Sequence, residues 1–263
     1  MTAPRPVALV TGASGGIGLE LARLCAKGGH DLILVARSRE KLEEVAKYLS
    51  GMYRIRAEVI VADLARPEAP AEVLAEVERR GMVIDVLVNN AGVGLWGLFG
   101  RQETEQVLGM LQLNITSLTH LTRLVLPGMV HRRKGRILNV GSAAGFAPGP
   151  LMAVYYGTKA YVLLFSEAIA NELKGTGVTV TALCPGVVPT GFREAAGLGG
   201  GEPPAVPGTL SAADVARIGY RGMMRGKRVV IPGIPVKLMI QGLRFVPRWL
   251  VLRVVRRFQE KRQ

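Results

Sequence analysis

The chain has 263 residues, 49% of them apolar, which is enough for one large α/β domain whose core needs neither metals nor disulfides. Its net charge of +14 at pH 7 is uneven, because eight basic residues and one acidic residue lie from Pro232 onward and supply half of it. The two cysteines and three histidines show no ligand spacing, and neither a transmembrane run nor a signal peptide is evident, so we expect a cytoplasmic protein with free thiols and no metal site.

The first element is a short apolar run at residues 7–10, followed at once by the glycine-rich segment 11–18 and a helical pattern of apolar residues. This order predicts a strand, a tight turn and a helix. Glycines in such a turn allow positive φ and let a diphosphate approach the amides at the helix N-terminus. The spacing is G-x-x-x-G-x-G and differs from the commoner G-x-G-x-x-G fingerprint, so the turn alone does not identify a dinucleotide site.

The second predicted strand, residues 30–36, ends at Arg37, Ser38 and Arg39 without an acidic residue. A carboxylate at this place would accept hydrogen bonds from the adenosine ribose of NAD, whereas an arginine suits the 2′-phosphate of NADP. The pattern therefore favours NADP(H), with Arg37 as the leading contact and Ser38 and Arg39 as helpers. The alternative is that these arginines only open the amphipathic helix 39–49 in solvent.

The third predicted strand, residues 55–62, ends at Asp63 and Leu64. Asp63 either accepts a hydrogen bond from the adenine amine or caps a helix that Pro67 opens, and the sequence does not separate these alternatives. The fourth strand, residues 83–88, runs into the segment Asn89 to Gly92. Its small residues would let the backbone pass close to a cofactor while an Asn side chain ties neighbouring strands.

A long helical stretch follows at about residues 103–131, with Asn114 inside an apolar face formed by Leu108, Leu111, Leu118 and Leu121. A buried Asn must satisfy its amide, and alone it is more often a structural bridge than a catalytic group. The fifth strand, residues 137–140, precedes Ser142 at its carboxyl end, where open parallel sheets bind ligands. Ser142 lies 13 positions before Tyr155, so the intervening loop could bring the helix that carries Tyr155 beside the Ser142 hydroxyl.

Tyr155 and Lys159 are four positions apart and therefore share one helical face. A fixed ammonium favours the phenolate by Coulomb attraction, which would make Tyr155 a general acid or base near neutral pH. In isolation such a pair usually reflects only the amphipathic pattern of a helix. The motifs that surround it favour the catalytic interpretation.

The sixth strand, residues 178–183, is followed by segment 184–190 and then by a stretch rich in Gly, Pro and Ala at 191–208, which we interpret as a mobile lid over a site. A helix at 212–224 and a strand at 229–231 come after it. This alternation of strands and helices predicts a doubly wound parallel sheet with helices on both faces, formed by one domain over residues 1–231.

Six motifs occur together in the order and spacing of the classical short-chain dehydrogenase/reductase family, which the chain resembles over residues 5–231. They are Thr11-Gly12-x-x-x-Gly16-x-Gly18, Asn89-Asn90-Ala91-Gly92, Asn114, Ser142, Tyr155-x-x-x-Lys159 and Pro185-Gly186. The resemblance implies a Rossmann-type sheet, a nicotinamide cofactor, reversible carbonyl reduction and assembly as a homodimer or homotetramer.

The resemblance also implies a role for each matching residue. Tyr155 would protonate the carbonyl oxygen and Ser142 would hydrogen-bond it. Lys159 would hold the nicotinamide ribose and depress the pKa of Tyr155, and Asn114 would support a water that connects Lys159 to solvent. The implied cofactor-binding positions are Gly12, Ser14, Gly16, Ile17, Gly18, Arg37, Ser38, Asp63, Leu64, Asn90, Ala91, Gly92, Tyr155, Lys159, Pro185, Gly186, Val188 and Thr190. NADP-dependent relatives often carry Arg or Lys where this chain has Ser14, which leaves the strength of the NADP preference open.

The basic extension at 232–263 lies beyond these motifs, and Pro247 divides it into two candidate helices. On the second helix one arc is apolar and another carries Arg253, Arg256 and Arg257. The apolar arc consists of Leu250, Val251, Leu252, Val254, Val255 and Phe258. This helix either packs on a neighbouring subunit or over the substrate pocket, or residues 234–262 touch an anionic membrane peripherally. Nucleic-acid binding is not predicted, because no recognition motif accompanies the charge.

The predicted function is that of an NADP(H)-dependent oxidoreductase acting on a small-molecule carbonyl or secondary alcohol, of lipophilic character because the tail is rich in aliphatic residues. One alternative is a reductase of carrier-linked 3-ketoacyl groups, in which the basic surface would meet an acidic carrier protein. Another is a non-catalytic NADP-binding regulatory protein, against which Ser142, Tyr155 and Lys159 argue.

Overall fold

The computed structural model describes residues 5–198 and 209–260 of the chain. In this part of the chain seven parallel strands form one sheet in the order β3-β2-β1-β4-β5-β6-β7, which confirms the predicted α/β class. The strands are Val7–Thr11 (β1), Asp31–Ala36 (β2), Ala57–Val61 (β3), Ile84–Asn89 (β4), Gly135–Val140 (β5), Val178–Leu183 (β6) and Val229–Val230 (β7). The predicted lid at 191–208 is described only as far as residue 198, and its remainder lies outside the described residues.

Ten α-helices connect or follow these strands within the described residues. They are Gly16–Lys27 (α1), Arg39–Tyr53 (α2), Ala69–Arg79 (α3), Thr104–Leu111 (α4), Leu118–His131 (α5), Ala153–Glu172 (α6), Phe192–Ala195 (α7), Ala212–Met224 (α8), Ile234–Gly242 (α9) and Arg248–Glu260 (α10). Helix α8 begins where predicted because the Ser211 hydroxyl accepts a hydrogen bond from the Asp214 amide and caps it.

The sheet is buried on both faces, because successive side chains of a strand point to opposite sides. In β1, Ala8 and Val10 belong to the core beneath α1, α2 and α8, while Val7 and Leu9 belong to the core beneath α3 and α5. Strand β2 alternates in the same way. Each fully buried Leu contributes about 1.5–3 kcal/mol by leaving water, so these two cores fix the register of the central strands.

The strand order reverses between β1 and β4, which lie side by side although two strands separate them in the sequence. In open parallel sheets the crevice for ligands forms at the carboxyl ends of the strands at this place. Gly12 and Asn90, one position beyond β1 and β4, therefore become neighbours.

The helical stretch predicted at 103–131 is interrupted by a π-helical turn, Gln112–Ser117, between α4 and α5. The prediction of one apolar face was wrong for Leu108, which is exposed on α4. The extra residue of a π turn rotates the helix that follows it, and such turns are frequent at functional sites. Asn114 is buried in the middle of this one.

The basic extension divides near Pro247 into α9 and α10, and none of the described helices is both long and apolar enough to span a bilayer. The side chains of the apolar arc predicted for α10 differ in exposure. Val251 packs inward, but Leu252 and Val254 are exposed. Gln259, a polar residue, is fully buried on this helix.

Candidate active site

The glycine turn after β1 is packed so tightly at Gly12 and Gly18 that side chains would not fit there. Gly12 and Gly16 have φ values of 64° and 55°, in the left-handed region that glycine adopts without strain. A Cβ on Gly12 would come within 2.7 Å of Asn90 Nδ2, and one on Gly18 would clash with the Gly12 carbonyl oxygen. The turn ends at Gly15, exposed before the N-terminus of α1, where amides and the helix dipole favour an anion. This bare cradle fits the diphosphate of a dinucleotide.

Thr11 and Asn90 hold the turn against β4. The Thr11 Oγ1 atom accepts hydrogen bonds from the amides of Asn90 and Ala91, each at 3.0 Å. In return Asn90 Nδ2 donates to the carbonyl oxygens of Thr11 and Gly12, at 3.0 and 3.2 Å. Asn90 thus shapes the cradle with its side chain, while its predicted contact with the adenosine-side ribose stays a prediction.

The neighbouring Asn89 ties strands together, as expected of an Asn in this segment. Its Nδ2 donates to Asn139 Oδ1 on β5 at 2.9 Å and to Thr122 Oγ1 on α5 at 3.0 Å. Asn139 in turn donates to Ser166 Oγ on α6 at 2.9 Å. This buried polar network fixes both helices to the sheet behind the site.

The residues predicted to contact the adenosine end lie after β2. Arg37 is exposed, and Ser38 occupies the N-cap position of α2 without a side-chain capping bond. In the described part of the chain neither side chain has a hydrogen-bond partner, whereas Arg39 is 3.4 Å from Glu43 on the surface of α2. Arg37 and Ser38 are thus the two groups at this position available to an anion.

Asp63 does not cap the following helix, which settles one of the two alternatives for it. Its Oδ1 accepts a hydrogen bond from the Ala65 amide at 3.0 Å, and α3 begins only at Ala69, with Pro70 in its first turn. Pro67 therefore does not open the helix. Leu64 is buried, and its carbonyl oxygen accepts a bond from Ser117. An adenine contact by Asp63 remains a prediction.

Lys159 is a buried cation at the centre of the site. Its Nζ donates to the Val140 carbonyl oxygen at the end of β5, at 2.8 Å, and lies 5.8 Å from the centroid of the Tyr155 ring. Burial lowers the pKa of this ammonium from 10.5 to about 8. Since an ammonium has three protons and Val140 takes one, two can still bind ribose hydroxyls or water.

Asn114 anchors the surroundings of this lysine. Its Oδ1 accepts from the Val93 amide, and its Nδ2 donates to the Val93 carbonyl oxygen and to Thr158 Oγ1, at 2.9, 2.9 and 3.1 Å. A Cβ on Gly92 would lie 3.1 Å from Asn114 Oδ1 and 3.6 Å from Lys159 Nζ, so all three residues meet. Both amide protons have protein acceptors, so on this side chain the predicted water could use only the remaining lone pair of Oδ1.

Ser142 follows β5 on a loop that packs against α6. A Cβ on Gly145 would come within 2.6 Å of the Lys159 carbonyl oxygen, which shows how closely this loop lies on the helix carrying Tyr155. The Ser142 Oγ accepts a hydrogen bond from the Ala144 amide at 3.1 Å. Because the oxygen acts as acceptor there, its proton stays available for a carbonyl oxygen.

Tyr155 faces an apolar wall. Its ring lies 5.3 Å from that of Phe192 on α7 and 6.2 Å from that of Tyr156. Met152, Ala196 and Leu198 are buried in the same cluster, against which Trp96 also packs. The Trp96 amide donates to the Ala196 carbonyl oxygen at 3.0 Å, which joins the loop after β4 to the segment of α7. A site with this wall suits an apolar substrate.

Gln259 and Tyr156 are the residues that sequence reasoning missed. Gln259 is 0% exposed; its Nε2 donates to the Tyr156 hydroxyl at 2.8 Å, and its main-chain carbonyl oxygen accepts from Trp96 Nε1 at 3.2 Å. Helix α10 is thereby attached to the helix of Tyr155 and to the apolar wall. The available signal was the spacing Val251, Val255, Gln259, which places this Gln on the inward arc of α10.

The remaining predicted positions surround the glycine turn or close its far side. Thr190 lies across the turn, since a Cβ on Gly16 would be 3.3 Å from its methyl group. Pro185 accepts a hydrogen bond from the Ala143 amide at 2.8 Å, and Gly186 packs against Val236 of α9. Ser14 is half-buried in the turn, and Ile17 and Val188 pack against the core beneath α1.

The sheet order brings these groups into one line. The residues that follow successive neighbouring strands are Asp63, Arg37, Gly12, Asn90, Ser142 and Cys184. Six strands about 4.8 Å apart give an edge of about 24 Å, long enough for an extended dinucleotide. Arg37 stands toward one end, and Lys159, Tyr155 and Ser142 toward the other. No three His, Cys, Asp or Glu side chains among the described residues are placed to hold a metal ion.

The sequence matches a family model described as short chain dehydrogenase over residues 6–198. A curated relative, the very-long-chain 3-oxoacyl-CoA reductase of Anas platyrhynchos, is 36% identical over 224 residues, or 83% of this chain and 70% of that protein. For three further enzymes named as such reductases, from Danio rerio and Bos taurus, the match spans 58–60% of their length.

Two solved structures are similar over nearly the whole chain. A short-chain dehydrogenase from Sphingobium yanoikuyae in complex with NADPH has a TM-score of 0.80 at 34% identity, covering 92% of this chain and 96% of that one. The bulky-bulky ketone specific alcohol dehydrogenase from Comamonas testosteroni has a TM-score of 0.77 at 31% identity, covering 92% and 95%.

Proposed function

Because this chain belongs to the short-chain dehydrogenase family and is therefore an oxidoreductase of carbonyl and alcohol groups, we propose that it reduces the carbonyl of a lipophilic substrate with NADPH. The observation that carries the proposal is the buried Lys159 ammonium, 5.8 Å from the Tyr155 ring and beside Gly92 and Asn114. A protein that only bound the nucleotide would gain nothing from a phenol next to a buried cation.

In the proposed mechanism the nicotinamide, when bound, supplies the hydride. Tyr155 donates its phenolic proton to the carbonyl oxygen, and the Ser142 hydroxyl donates a hydrogen bond to the same oxygen. The Lys159 ammonium lowers the free energy of the phenolate that Tyr155 becomes. Since its own pKa is about 8, Lys159 also exchanges protons readily near neutral pH. The glycine cradle would hold the diphosphate. Tyr155, Ser142 and Lys159 would then lie at the nicotinamide end of the cofactor.

The preference for NADP(H) is supported by the end of β2. Within the described residues the Arg37 and Ser38 side chains have no hydrogen-bond partner in the protein, and no acidic residue lies at this position. A 2′-phosphate would therefore gain charge-assisted hydrogen bonds from them. The similar Sphingobium enzyme is described in complex with NADPH. Ser14 offers no positive charge to the phosphate, so in this proposal Arg37 provides most of the discrimination.

A lipophilic substrate is supported by the apolar wall of Met152, Trp96 and Phe192 beside Tyr155. The names of the similar enzymes from Comamonas and Anas refer to bulky ketones and to very-long-chain acyl groups. These names favour, as a second candidate, reduction of a 3-oxoacyl thioester. Its carrier, an acidic protein or a coenzyme A phosphate, would meet the cationic residues of the C-terminal extension.

The test is a panel of free ketones and aldehydes, 3-oxoacyl-CoA thioesters and carrier-linked 3-oxoacyl groups, followed at the reduced-nicotinamide absorbance with NADPH and NADH. We expect turnover of long or bulky ketones with NADPH, abolished by Tyr155→Phe. Exclusive turnover of thioesters would favour the second candidate. Tight NADPH binding without turnover of any carbonyl compound would instead indicate a regulatory protein.

Two further expectations belong to this proposal. Assembly as a homodimer or homotetramer is supported by Leu108 on α4 and Leu164 on α6, which are exposed on packed neighbouring helices. Light scattering of the purified protein would give its mass. A cytoplasmic location, with a fraction bound peripherally to membranes, is checked by cell fractionation in low and high salt.

A further inference from the structure

The outward surface of the C-terminal unit, by which we mean residues 234–260, is unusually apolar. Six large apolar side chains within this short segment are more than half exposed, and Phe245 is 87% exposed. They are Ile234, Leu238, Met239, Phe245, Trp249 and Val254. Exposed apolar residues scattered singly are ordinary, but a concentration such as this one indicates an interaction surface.

The same surface is cationic. Exposed Lys and Arg residues occur among the apolar ones, and no acidic residue is present from 234 to 259. The basic residues are Lys237, Arg244, Arg248, Arg253, Arg256 and Arg257. Arg256 is paired with Glu260 at 2.9 Å, and the Arg253 guanidinium lies 5.2 Å from the centroid of the Trp249 ring. In the described residues Lys237, Arg244 and Arg248 have no ion pair. The charge is thus unneutralised at the surface.

The apolar exposure does not come from a detached helix, because the opposite side of the unit is fixed to the body. Val236 and Ile240 of α9 are buried, and Val236 packs against Gly186 at the edge of the cofactor crevice. On α10 Val251 and Gln259 are buried, and Gln259 binds Tyr156 and Trp96. The outward face is therefore presented in a fixed orientation.

The two helices offer different chemistry outward. Ile234 and Leu238, one turn apart on α9, stand opposite the buried Val236 and Ile240. On α10 the side opposite Val251 and Gln259 carries Trp249 and Arg253. A bilayer interface has an apolar acyl layer beneath a headgroup layer, and anionic headgroups attract arginine while tryptophan favours that depth. Two copies of this face would instead bring like charges together.

We propose that this face docks the enzyme peripherally onto an anionic lipid surface, with Leu238 and Phe245 inserted and Arg244 and Arg248 at the headgroups. The idea rests on the proposed function in one respect, since a lipid surface is where a lipophilic carbonyl substrate would be concentrated. Attachment of the same unit to the apolar wall through Gln259 places that surface close to the substrate side of the site.

The test is co-sedimentation of the full chain with vesicles of phosphatidylcholine alone and of phosphatidylcholine with phosphatidylglycerol. We expect binding to the anionic vesicles, weakened by high salt. The double variant Leu238→Ser, Phe245→Ser should lose this binding. The double variant Tyr48→Ser, Met52→Ser, at side chains 52% and 53% exposed on α2, is the matched control and should bind like the wild type.

The charge contribution is tested separately. Arg244→Gln with Arg248→Gln should weaken binding to anionic vesicles about 10-fold or more, since each basic residue near such a surface contributes about 1 kcal/mol. Arg221→Gln with Arg225→Gln removes the same charge from exposed positions on and beside α8 and should have little effect.

Equal binding to both kinds of vesicle, or docking variants that bind like their controls, would overturn the proposal. A change of molecular mass in these variants without any vesicle binding would assign the face to a second copy, which also overturns it. All docking variants should reduce a water-soluble ketone as the wild type does. Vesicle binding by a protein that turns over no carbonyl compound would refute the proposed function and leave the docking surface standing.

Discussion

The catalytic edge, by which we mean Asn114, Ser142, Tyr155 and Lys159, buries polar groups, whereas the C-terminal unit exposes apolar ones. At the edge, polar groups are buried and hydrogen-bonded: Lys159 binds Val140, and Asn114 binds Val93 and Thr158. In the C-terminal unit large apolar groups are exposed, and the most deeply buried side chain is the amide Gln259. The first region therefore holds polar groups in place for the proposed reaction. The second packs on the apolar wall with one side and exposes an apolar surface on the other.

The two regions meet at consecutive residues. Tyr155 stands beside Lys159 and Phe192, whereas Tyr156 binds Gln259 and is packed closely by Gly149. Identical substitutions at these two positions therefore separate catalysis from attachment of α10, and they give the largest effect that we expect.

Tyr155→Phe should lower kcat about 10²-fold or more, because it removes the general acid while the ring keeps its apolar contacts. Tyr156→Phe should leave kcat nearly unchanged and instead destabilise the fold by about 1–3 kcal/mol, because the buried Gln259 amide loses its hydroxyl partner. Steady-state kinetics and urea unfolding of both variants measure this. Similar losses of kcat in the two would remove the distinction between the regions.

The pH dependence of stability tests the buried cation of the catalytic edge. The folded-state pKa of Lys159 is lowered from 10.5 to about 8, so below pH 8 the folded protein bears the full cost of a buried charge. Between these values the unfolded chain binds a proton that the folded chain has released. Stability contributed by this group must therefore increase as the pH rises from about 8 to 10.5, by about 3 kcal/mol in total.

Lys159→Met removes this contribution, and if both proteins also carry Tyr155→Phe, which removes the phenol beside Lys159, the remaining titrating groups cancel in the comparison. Urea unfolding of both proteins without cofactor, at a series of pH values, should show the protein that retains Lys159 gaining about 3 kcal/mol relative to the Lys159→Met variant across that range. A difference that is constant with pH would mean that the ammonium is well solvated and that the catalytic edge is not a dry site.

At the adenosine end, Arg37→Asp should lower the ratio of kcat/KM for NADPH over NADH about 10-fold or more. The reason is the loss of charge-assisted hydrogen bonds to the 2′-phosphate, worth about 1.5–3 kcal/mol, and the added repulsion. Arg39→Asp is the matched control, because Arg39 is engaged with Glu43 on α2. An unchanged ratio in Arg37→Asp would show that another group reads the phosphate.

The smallest expected effect concerns the attachment of the C-terminal unit. Gln259→Ala should cost about 1–3 kcal/mol of unfolding free energy and raise KM for a long-chain ketone more than for a short one. Gln241→Ala makes the same change at an exposed position on α9 and should stay within about 0.5 kcal/mol of the wild type. If the two variants behave alike, α10 does not form part of the substrate side.

Much of the fold and most of the placement of the catalytic edge could be predicted from the sequence. Strand β6 and helix α8 have the predicted bounds because residues 178–183 are apolar or β-branched, as strand residues commonly are, and because Ser211 supplies a cap. The glycine turn is recognisable since only glycine fits beside Asn90 and Ala91. Tyr155 and Lys159 were predictable as a pair because helical spacing alone puts them on one face.

The rest depended on tertiary contacts that periodicity does not contain. A π-helical turn at Gln112–Ser117 has no compositional signature, yet it decides where Asn114 points. The Asp63 carboxylate accepts a hydrogen bond from the Ala65 amide in a local turn. It therefore does not cap α3, which has no side-chain cap. The Gln259 amide is buried against the Tyr156 hydroxyl while Trp96 binds the main-chain carbonyl of the same residue, and both partners are remote in the sequence.

In the proposed mechanism the Lys159 ammonium makes Tyr155 a better acid. This effect is tested most directly by following tyrosinate absorbance against pH in the wild type and in Lys159→Met, each corrected with its Tyr155→Phe counterpart to isolate this one phenol. We predict that the Tyr155 phenolate appears at a lower pH when Lys159 is present, since the cation stands 5.8 Å from the ring. The same midpoint in both proteins would contradict the account.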